Sequence, residues 1–521
     1  MSITYDAVII GGGHNGLVAA CYLARAGKRV LVLERYHTVG GAAITEEIHP
    51  GFRVSVASYS CSLLRPEIIN DLRLPDYGFE VYRKSPSYFM PFPDGQYLLL
   101  DATSRERSKT EIARFSAKDA AAYDAWEDFW DRACDLIEPT LMQPPITLGE
   151  LAERFEHAGC ADDFRRVMLL STTDLVDEFF ESPYVKAVMV PQSLIGTAGG
   201  PMTPGTPYVW LYHAIGRAIG QRGVWGYVRG GMGAITQALA AAGRDLGVEI
   251  KTSASVGEVL VEGGQARGVV LEDGTTIRAR TVLSNADPKR TFLQLCPASA
   301  LPADFRERID RSYRSVGPVY KLNLALRELP RYTAAPADVP SDAISRATVD
   351  IAPSVEYVER AWDDYKHGQP SRDPFIEIYT QSPTDPTMAP EGQHILSCFC
   401  QYAPYAPAGR SWDDGLREEF ADRVLAKLTE YAPNMRDAVI ARQMLSPVDL
   451  ERRFGLTGGH IFHGEITPDQ SFNLRPLAGH ADYRSPLSGL YLCGSGAHPG
   501  GGVTGIPGHN AAHVVLADLQ T

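Results

Sequence analysis

The first 34 residues constrain this chain more than any other stretch. Residues 5 to 10, YDAVII, form an apolar run that reads as a buried parallel strand. They lead into Gly11-Gly12-Gly13-His14-Asn15-Gly16, which contains the spacing G-x-G-x-x-G. Residues 17 to 26, LVAACYLARA, follow with small and apolar side chains at helical spacing, and Gly27 stops that helix. Residues 29 to 33, RVLVL, form a second apolar strand, and Glu34 ends it.

Glycines alone mark only a flexible turn. Strand, turn, helix, strand and acid in this order specify a Rossmann-type dinucleotide site. Gly11 permits the tight turn, Gly13 lets the backbone approach a pyrophosphate, and Gly16 allows close packing of helix on strand. The helix N-terminus offers unpaired N–H groups and a positive dipole end to the phosphates. Glu34 lies 18 residues beyond Gly16, where a carboxylate can accept hydrogen bonds from a ribose. A Gly40-Gly41 pair follows closely. Flavoproteins of the glutathione-reductase type carry such a pair in the loop that closes over the pyrophosphate. That likeness, not the spacing, favours FAD over NAD.

Two later segments resemble ligand-bearing structure. Residues 256 to 284 read as a β-meander, with turns at Gly263-Gly264 and Asp273-Gly274. Upstream, Val228-Arg229-Gly230-Gly231-Met232-Gly233 opens an Ala-rich helix through residue 243, either as plain punctuation or as backbone close to a ligand. Near the end, GLYLC at 489 to 493 reads as a strand, Gly494 to Gly502 as a glycine-rich loop, and 505 to 519 as an amphipathic helix. Loop N–H groups and a helix N-terminus there suit a flavin that becomes negative on reduction.

A chain of 521 residues is too long for one simple core. The expected fold class is α/β: a Rossmann-type, glutathione-reductase-like FAD-binding domain intermixed with an α+β substrate domain. Residues 1–95, 225–300 and 445–521 are assigned to the first, and 96–224 and 301–444 to the second. The substrate segments are rich in Tyr, Trp, Phe and Pro, including Pro201, Pro204 and Pro207 and the loop Gln401-Tyr402-Ala403-Pro404-Tyr405. Such aromatics line apolar cavities or simply fill cores.

The net charge of −13 argues against nucleic acid, whose phosphates need excess Lys and Arg. It leaves peripheral membrane contact open. No secretory signal and no bilayer-length apolar run is visible, so a cytoplasmic location is the default expectation. The eight cysteines contain no CxxC, and no pair has four residues between its members. Cys398 and Cys400 would share one face of a strand as small core residues.

Together, GGGHNGLVAA, VLVLER, the Gly-Gly pair, VLSNADP and GLYLCGSGAHPGGGVTG resemble the bacterial-type phytoene desaturase and carotenoid isomerase family. The likeness runs nearly end to end and is weakest around 100 to 180. FCQYAPY at 399 to 405 and DLERRFGLTGGHIFHGEITPDQ at 449 to 470 narrow it to one subgroup. The resemblance implies one non-covalent FAD in extended form, with contacts at Gly11, Gly13, Gly16, Glu34, Arg35, Gly40 and Gly41. It also implies Val259 beside the adenine, and Gly494 and Val503 along the pyrophosphate and flavin. A dithiol mechanism is not implied, because the chain has no redox pair.

Candidates for proton transfer are His498 in the glycine-rich loop and His460 and His463 in GGHIFH, with Glu465 as a partner for His463. Each is otherwise an ordinary hydrogen-bonded histidine. His509 and His513 stand four apart but lack an accompanying carboxylate, so no metal is expected. Only one nucleotide fingerprint is visible, so oxygen, a quinone or an internal redox-neutral cycle is expected to handle electrons in place of NADPH. Three functions follow. The first is an FAD-dependent oxidoreductase or isomerase acting on a small apolar, polyene-like or lipid-like substrate. The second is a flavin amine oxidase, and the third a non-catalytic flavoprotein acting through partners. The sequence leaves the oligomeric state open.

Overall fold

The computed structural model of the protein describes residues 5–520. Its first sheet is built around β1 (Tyr5–Ile10), which pairs in parallel with β2 (Val30–Leu33) on one side and with β6 (Thr276–Ser284) on the other. β3 (Glu249–Lys251) extends the sheet beyond β2, and β7 (Leu490–Leu492) extends it beyond β6, both in parallel. The parallel order is therefore β3-β2-β1-β6-β7. All four residues of β2 and five of the six in β1 are buried, as expected for strands covered on both faces. The meander β4 (Val256–Glu262), β5 (Gln265–Leu271) and the first half of β6 folds antiparallel at one edge. This is a Rossmann-type FAD-binding fold.

Three helices fix the nucleotide end of that sheet: α1 (His14–Arg25), α2 (Gly233–Asp245) and α3 (Ile506–Asp518). α3 crosses α1 at backbone contact, since a Cβ on Gly508 would lie 2.0 Å from the carbonyl oxygen of Asn15. The C-terminal helix thus seats the last glycine-rich loop against the first, although 480 residues separate Asn15 from Ser495.

The second sheet has seven strands, ordered Val439–Leu445, Val319–Leu326, His394–Gln401, Phe375–Tyr379, Thr348–Ile351, Tyr88–Pro91 and Tyr97–Leu100. All neighbours are antiparallel except Thr348–Ile351 with Tyr88–Pro91. Residue 95, the expected lobe boundary, lies in the turn of the last hairpin, so strand Tyr88–Pro91 sits in the second sheet rather than the first. Cys398 and Cys400 are fully buried, paired across from Leu322 and Tyr320 in the core of this lobe. All eight cysteines are free thiols.

A helical layer closes the substrate lobe. Its longest member, Ala117–Ile137, begins at Ser116, whose hydroxyl accepts the N–H of Asp119. Its inward face carries Trp126, Phe129 and Trp130 into a cluster with Phe179, Phe180 and Trp210. Trp130 and Trp210 stack with ring centroids 5.3 Å apart and planes within 5°. Among the described residues no helix is long and apolar enough to cross a membrane.

Candidate active site

One cavity of about 410 Å³ runs from the start of α1 into the aromatic cluster of the second lobe. Its nucleotide end is lined by Gly11, Gly13, Glu34, Arg35, Gly40 and Gly41. The geometry there follows from close backbone packing. A Cβ on Gly16 would lie 2.3 Å from the carbonyl oxygen of Gly11, and one on Gly13 would lie 2.8 Å from Asn285 Nδ2. Gly16 is thus a packing glycine behind the wall, while Gly13 stands on it. Gly40 donates its N–H to the Gly12 carbonyl at 2.9 Å, which lays the Gly40-Gly41 loop along the first turn.

Glu34 is 6% exposed and holds this turn from below. Its Oε2 accepts the N–H of Gly12 at 2.8 Å, and its Oε1 accepts the N–H of Tyr36 at 2.7 Å. Burial raises its pKa, and these two donors offset the shift only in part. Arg35 donates to the carbonyls of Arg452 and Arg453 at 2.6 and 2.8 Å, and burial with the nearby Arg290 holds it below its ordinary pKa. Arg290 lines the same end, a residue the sequence reading missed. Asn285, inside the VLSNADP segment, donates from Nδ2 to the Gly11 carbonyl at 3.2 Å and also reaches the wall.

This end fits an FAD. α1 starts at Gly13 without a side-chain cap and without an acid in its first turn, so its positive end is left for an anion. His14 and His463 both border the cavity, and each has a buried ring nitrogen with no hydrogen-bond partner, Nε2 and Nδ1 respectively. Burial lowers both histidines to about 3, with His463 adding to the shift of His14 and Arg475 and His460 to that of His463, so both are neutral at pH 7. Val503 stands opposite on the glycine-rich loop at φ 63, a backbone region that β-branched residues rarely occupy.

Several expected positions lie elsewhere. Val259 is fully buried and packs in the core opposite Val269, off the cavity. Val256, at the strand entrance, takes the place on the wall with Ala254 and Ser255. Gly494 packs against the Asn285 backbone, where a Cβ would lie 2.6 Å from the carbonyl oxygen, and Ser495 reaches the cavity instead. His498 is fully buried behind the loop, 6.0 Å from the Phe472 ring, and does not line the cavity.

His460 is also buried off the wall, and it, rather than His463, is the partner of Glu465. The reason is local: His463 has a left-handed backbone (φ 60), so its ring leaves the direction taken by His460 and Glu465. Behind these residues Arg475, fully buried, donates to the carbonyls of Phe462, Gly464, Glu465, Gln470 and Ser495. It clamps the GGHIFH segment to the glycine-rich loop with no carboxylate partner among the described residues.

The far end of the cavity is lined by Trp126, Trp130, Trp210, Val188 and Met189. Between the two ends lie Tyr59, Lys84, Gln192, Glu377 and Tyr379, which no sequence pattern had marked. His509 and His513 sit outside the cavity beside Tyr22, and among the described residues no cluster of metal-ligating side chains occurs.

Comparison with known proteins agrees with this geometry. The family described as "Flavin containing amine oxidoreductase" matches residues 16–508. Pyridine nucleotide-disulfide oxidoreductase domain-containing protein 2 of Rattus norvegicus is 42% identical, over 99% of this chain and 94% of its own length. It represents the subgroup to which residues 399 to 405 and 449 to 470 pointed. A lycopene-forming phytoene desaturase from a Paracoccus species is 26% identical, over 99% of this chain and 98% of its own. Among solved structures, an oxidoreductase from Methanosarcina mazei superposes with a TM-score of 0.62 at 18% identity, covering 99% of this chain and 100% of that one.

Proposed function

The chain belongs to the flavin containing amine oxidoreductase family and is an FAD-dependent oxidoreductase, and from that premise we propose that its substrate is an apolar, polyene-like or lipid-like molecule, handled as a desaturase or isomerase would handle it. The observation that carries this reading is the continuity of the cavity. A glycine-lined nucleotide end is continuous with a chamber walled by Trp126, Trp130 and Trp210.

FAD supplies the acceptor for an electron pair when bound. The protein supplies the rest. Gly11, Gly13 and Gly40-Gly41 would bring backbone close to the pyrophosphate, and Glu34 would receive the ribose. The aromatic wall orients the substrate and excludes water. His463 and His14, neutral and with a free nitrogen each, stand where a proton can be accepted or returned. The acceptor assigned to the loaded enzyme would be oxygen, a quinone or, in a redox-neutral cycle, the substrate itself.

The test begins with the visible spectrum of the purified protein before and after unfolding, followed by anaerobic mixing with polyenes, with amines and with NADPH. Bleaching by a polyene supports the reading. Bleaching by primary amines, with hydrogen peroxide released in air, would instead favour amine oxidation, the second reading that the family description supports. Fast saturable bleaching by NADPH would overturn the assigned acceptor.

A further inference from the structure

The middle of the cavity holds more charge than a pure hydrocarbon requires. Glu377, 1% exposed at the centre of the strand Phe375–Tyr379, accepts from Tyr59 Oη at 2.9 Å and Tyr379 Oη at 2.6 Å through Oε1. Its Oε2 accepts from Gln192 Nε2 at 3.2 Å. Three donors from three separate segments thus already satisfy this carboxylate. Asp350, fully buried one strand away, accepts from Tyr88 Oη at 2.6 Å, and burial beside Glu377 raises its pKa well above the usual carboxylate range.

Two buried lysines face these acids without joining them. Lys321 is 1% exposed, lies 4.4 Å from the centre of the Tyr59 ring and donates to Ser397 Oγ. Lys84 is 3% exposed and lies on the cavity wall beside Thr348 and Tyr379. Among the described residues its Nζ makes one hydrogen bond, to Thr348 Oγ1 at 2.6 Å, and sits 4.7 Å from the Tyr379 ring centre and 5.6 Å from that of Tyr227. An ammonium carries three donors. Burying it with one hydrogen bond and two ring faces is unfavourable unless a ligand completes its shell.

The donors left over therefore define the ligand. Glu377 is satisfied and Asp350 is biased toward its neutral form, whereas Lys84 has N–H groups to spare on the wall. An incoming ammonium would meet Lys84 on the wall, which disfavours it. An incoming oxygen anion would complete Lys84. Resting on the apolar-substrate reading above, we propose that the cavity takes an elongated apolar molecule ending in a carboxylate, which Lys84 receives.

The test uses the FAD-loaded protein and a fluorescent polyene acid, cis-parinaric acid, titrated beside its methyl ester. The acid is expected to bind about tenfold more tightly than the ester. Lys84→Met is expected to bring the acid down to the ester's affinity and to leave the ester unchanged. Equal binding of acid and ester by the unaltered protein, or a variant that weakens both alike, overturns the carboxylate assignment and leaves the apolar-substrate reading standing. Binding of neither molecule overturns both. The wild-type comparison decides the matter even where the variant does not fold.

Discussion

Glu465 is paired with His460, its Oε1 3.1 Å from His460 Nε2, and not with His463 three residues further on. The N–H of Phe462 donates to His460 Nδ1 at 3.2 Å, which leaves Nε2 as the ring nitrogen beside the carboxylate. Glu465 also accepts from Thr197 Oγ1 at 2.7 Å and from the N–H of Ala198 at 3.2 Å. Burial alone would raise the pKa of Glu465, but His460 and these donors pull it below its ordinary value. The pair ties the 460–465 loop to the 197–198 loop. Of the two histidines of this loop, His463 is the one that faces the cavity.

Stability and chemistry therefore separate along this loop. Glu465→Ala leaves His460, Thr197 and Ala198 without their acceptor and is expected to cost about 3 kcal/mol in chemical denaturation. His463→Asn keeps a residue that tolerates a left-handed backbone, so folding is retained while turnover falls about 100-fold. An unchanged kcat in the second variant removes His463 from the chemistry.

Cofactor retention depends on Glu34. Because both its oxygens accept backbone N–H groups, of Gly12 and Tyr36, its loss frees the first turn as well as the ribose contact. Glu34→Ala is expected to weaken FAD by about 100-fold, roughly 3 kcal/mol. Flavin titration of the apoprotein measures this, and full flavin content after extensive dialysis would refute it.

Arg475 binds five carbonyls with a planar fork that lysine cannot reproduce. Both Arg475→Leu and Arg475→Lys are expected to lower stability by about 3 kcal/mol or more. Rescue of the melting temperature by lysine would show that charge alone matters there.

Acid sensitivity follows from four histidines that burial holds well below their ordinary pKa, His14 and His463 described above together with His213 and His498. Burial lowers His213 to about 4 and His498 to about 3. The unfolded chain, with histidine near pH 6.5, binds more protons than the folded one between those values. Stability is therefore complete above about pH 6.5 and declines as pH falls toward 4 and 3, at about 1.4 kcal/mol per pH unit for each histidine. Denaturant titrations from pH 7 to pH 5 should show the slope. His213→Gln should reduce the slope by the share of one histidine, about 1.4 kcal/mol per pH unit, and a curve of unchanged slope in that variant contradicts the assignment.

The stacked Trp130 and Trp210 are expected to act on substrate rather than cofactor. Trp210→Ala should raise KM for polyenes about tenfold while flavin content stays constant. Loss of flavin in that variant would place the tryptophan in the cofactor site.

The nucleotide unit was legible in the sequence because its contacts are short-range or periodic. YDAVII, the glycine turn, LVAACYLARA and RVLVL each declare their element through pattern, and they appear as β1, α1 and β2. The meander was legible for the same reason, its turns at Gly263-Gly264 and Asp273-Gly274 falling between β4, β5 and β6. Within those elements, individual side chains were less certain. Val256 and Val259 look alike in sequence, and only the packing shows that one faces the cavity and the other the core.

The middle of the cavity had no sequence signal at all. Tyr59 reaches Glu377 across 318 residues of chain, and Lys84 reaches Thr348 across 264. Periodicity reveals which face of a strand is buried, but not what it is buried against. The sequence by itself determined a Rossmann unit, its glycine turn and the acid that serves it, since those depend on neighbouring residues. The docking of two interleaved lobes decided which histidine faces the cavity, what Glu465 binds and where Lys84 is left with spare donors, because each of those depends on surfaces that meet only after the chain has folded.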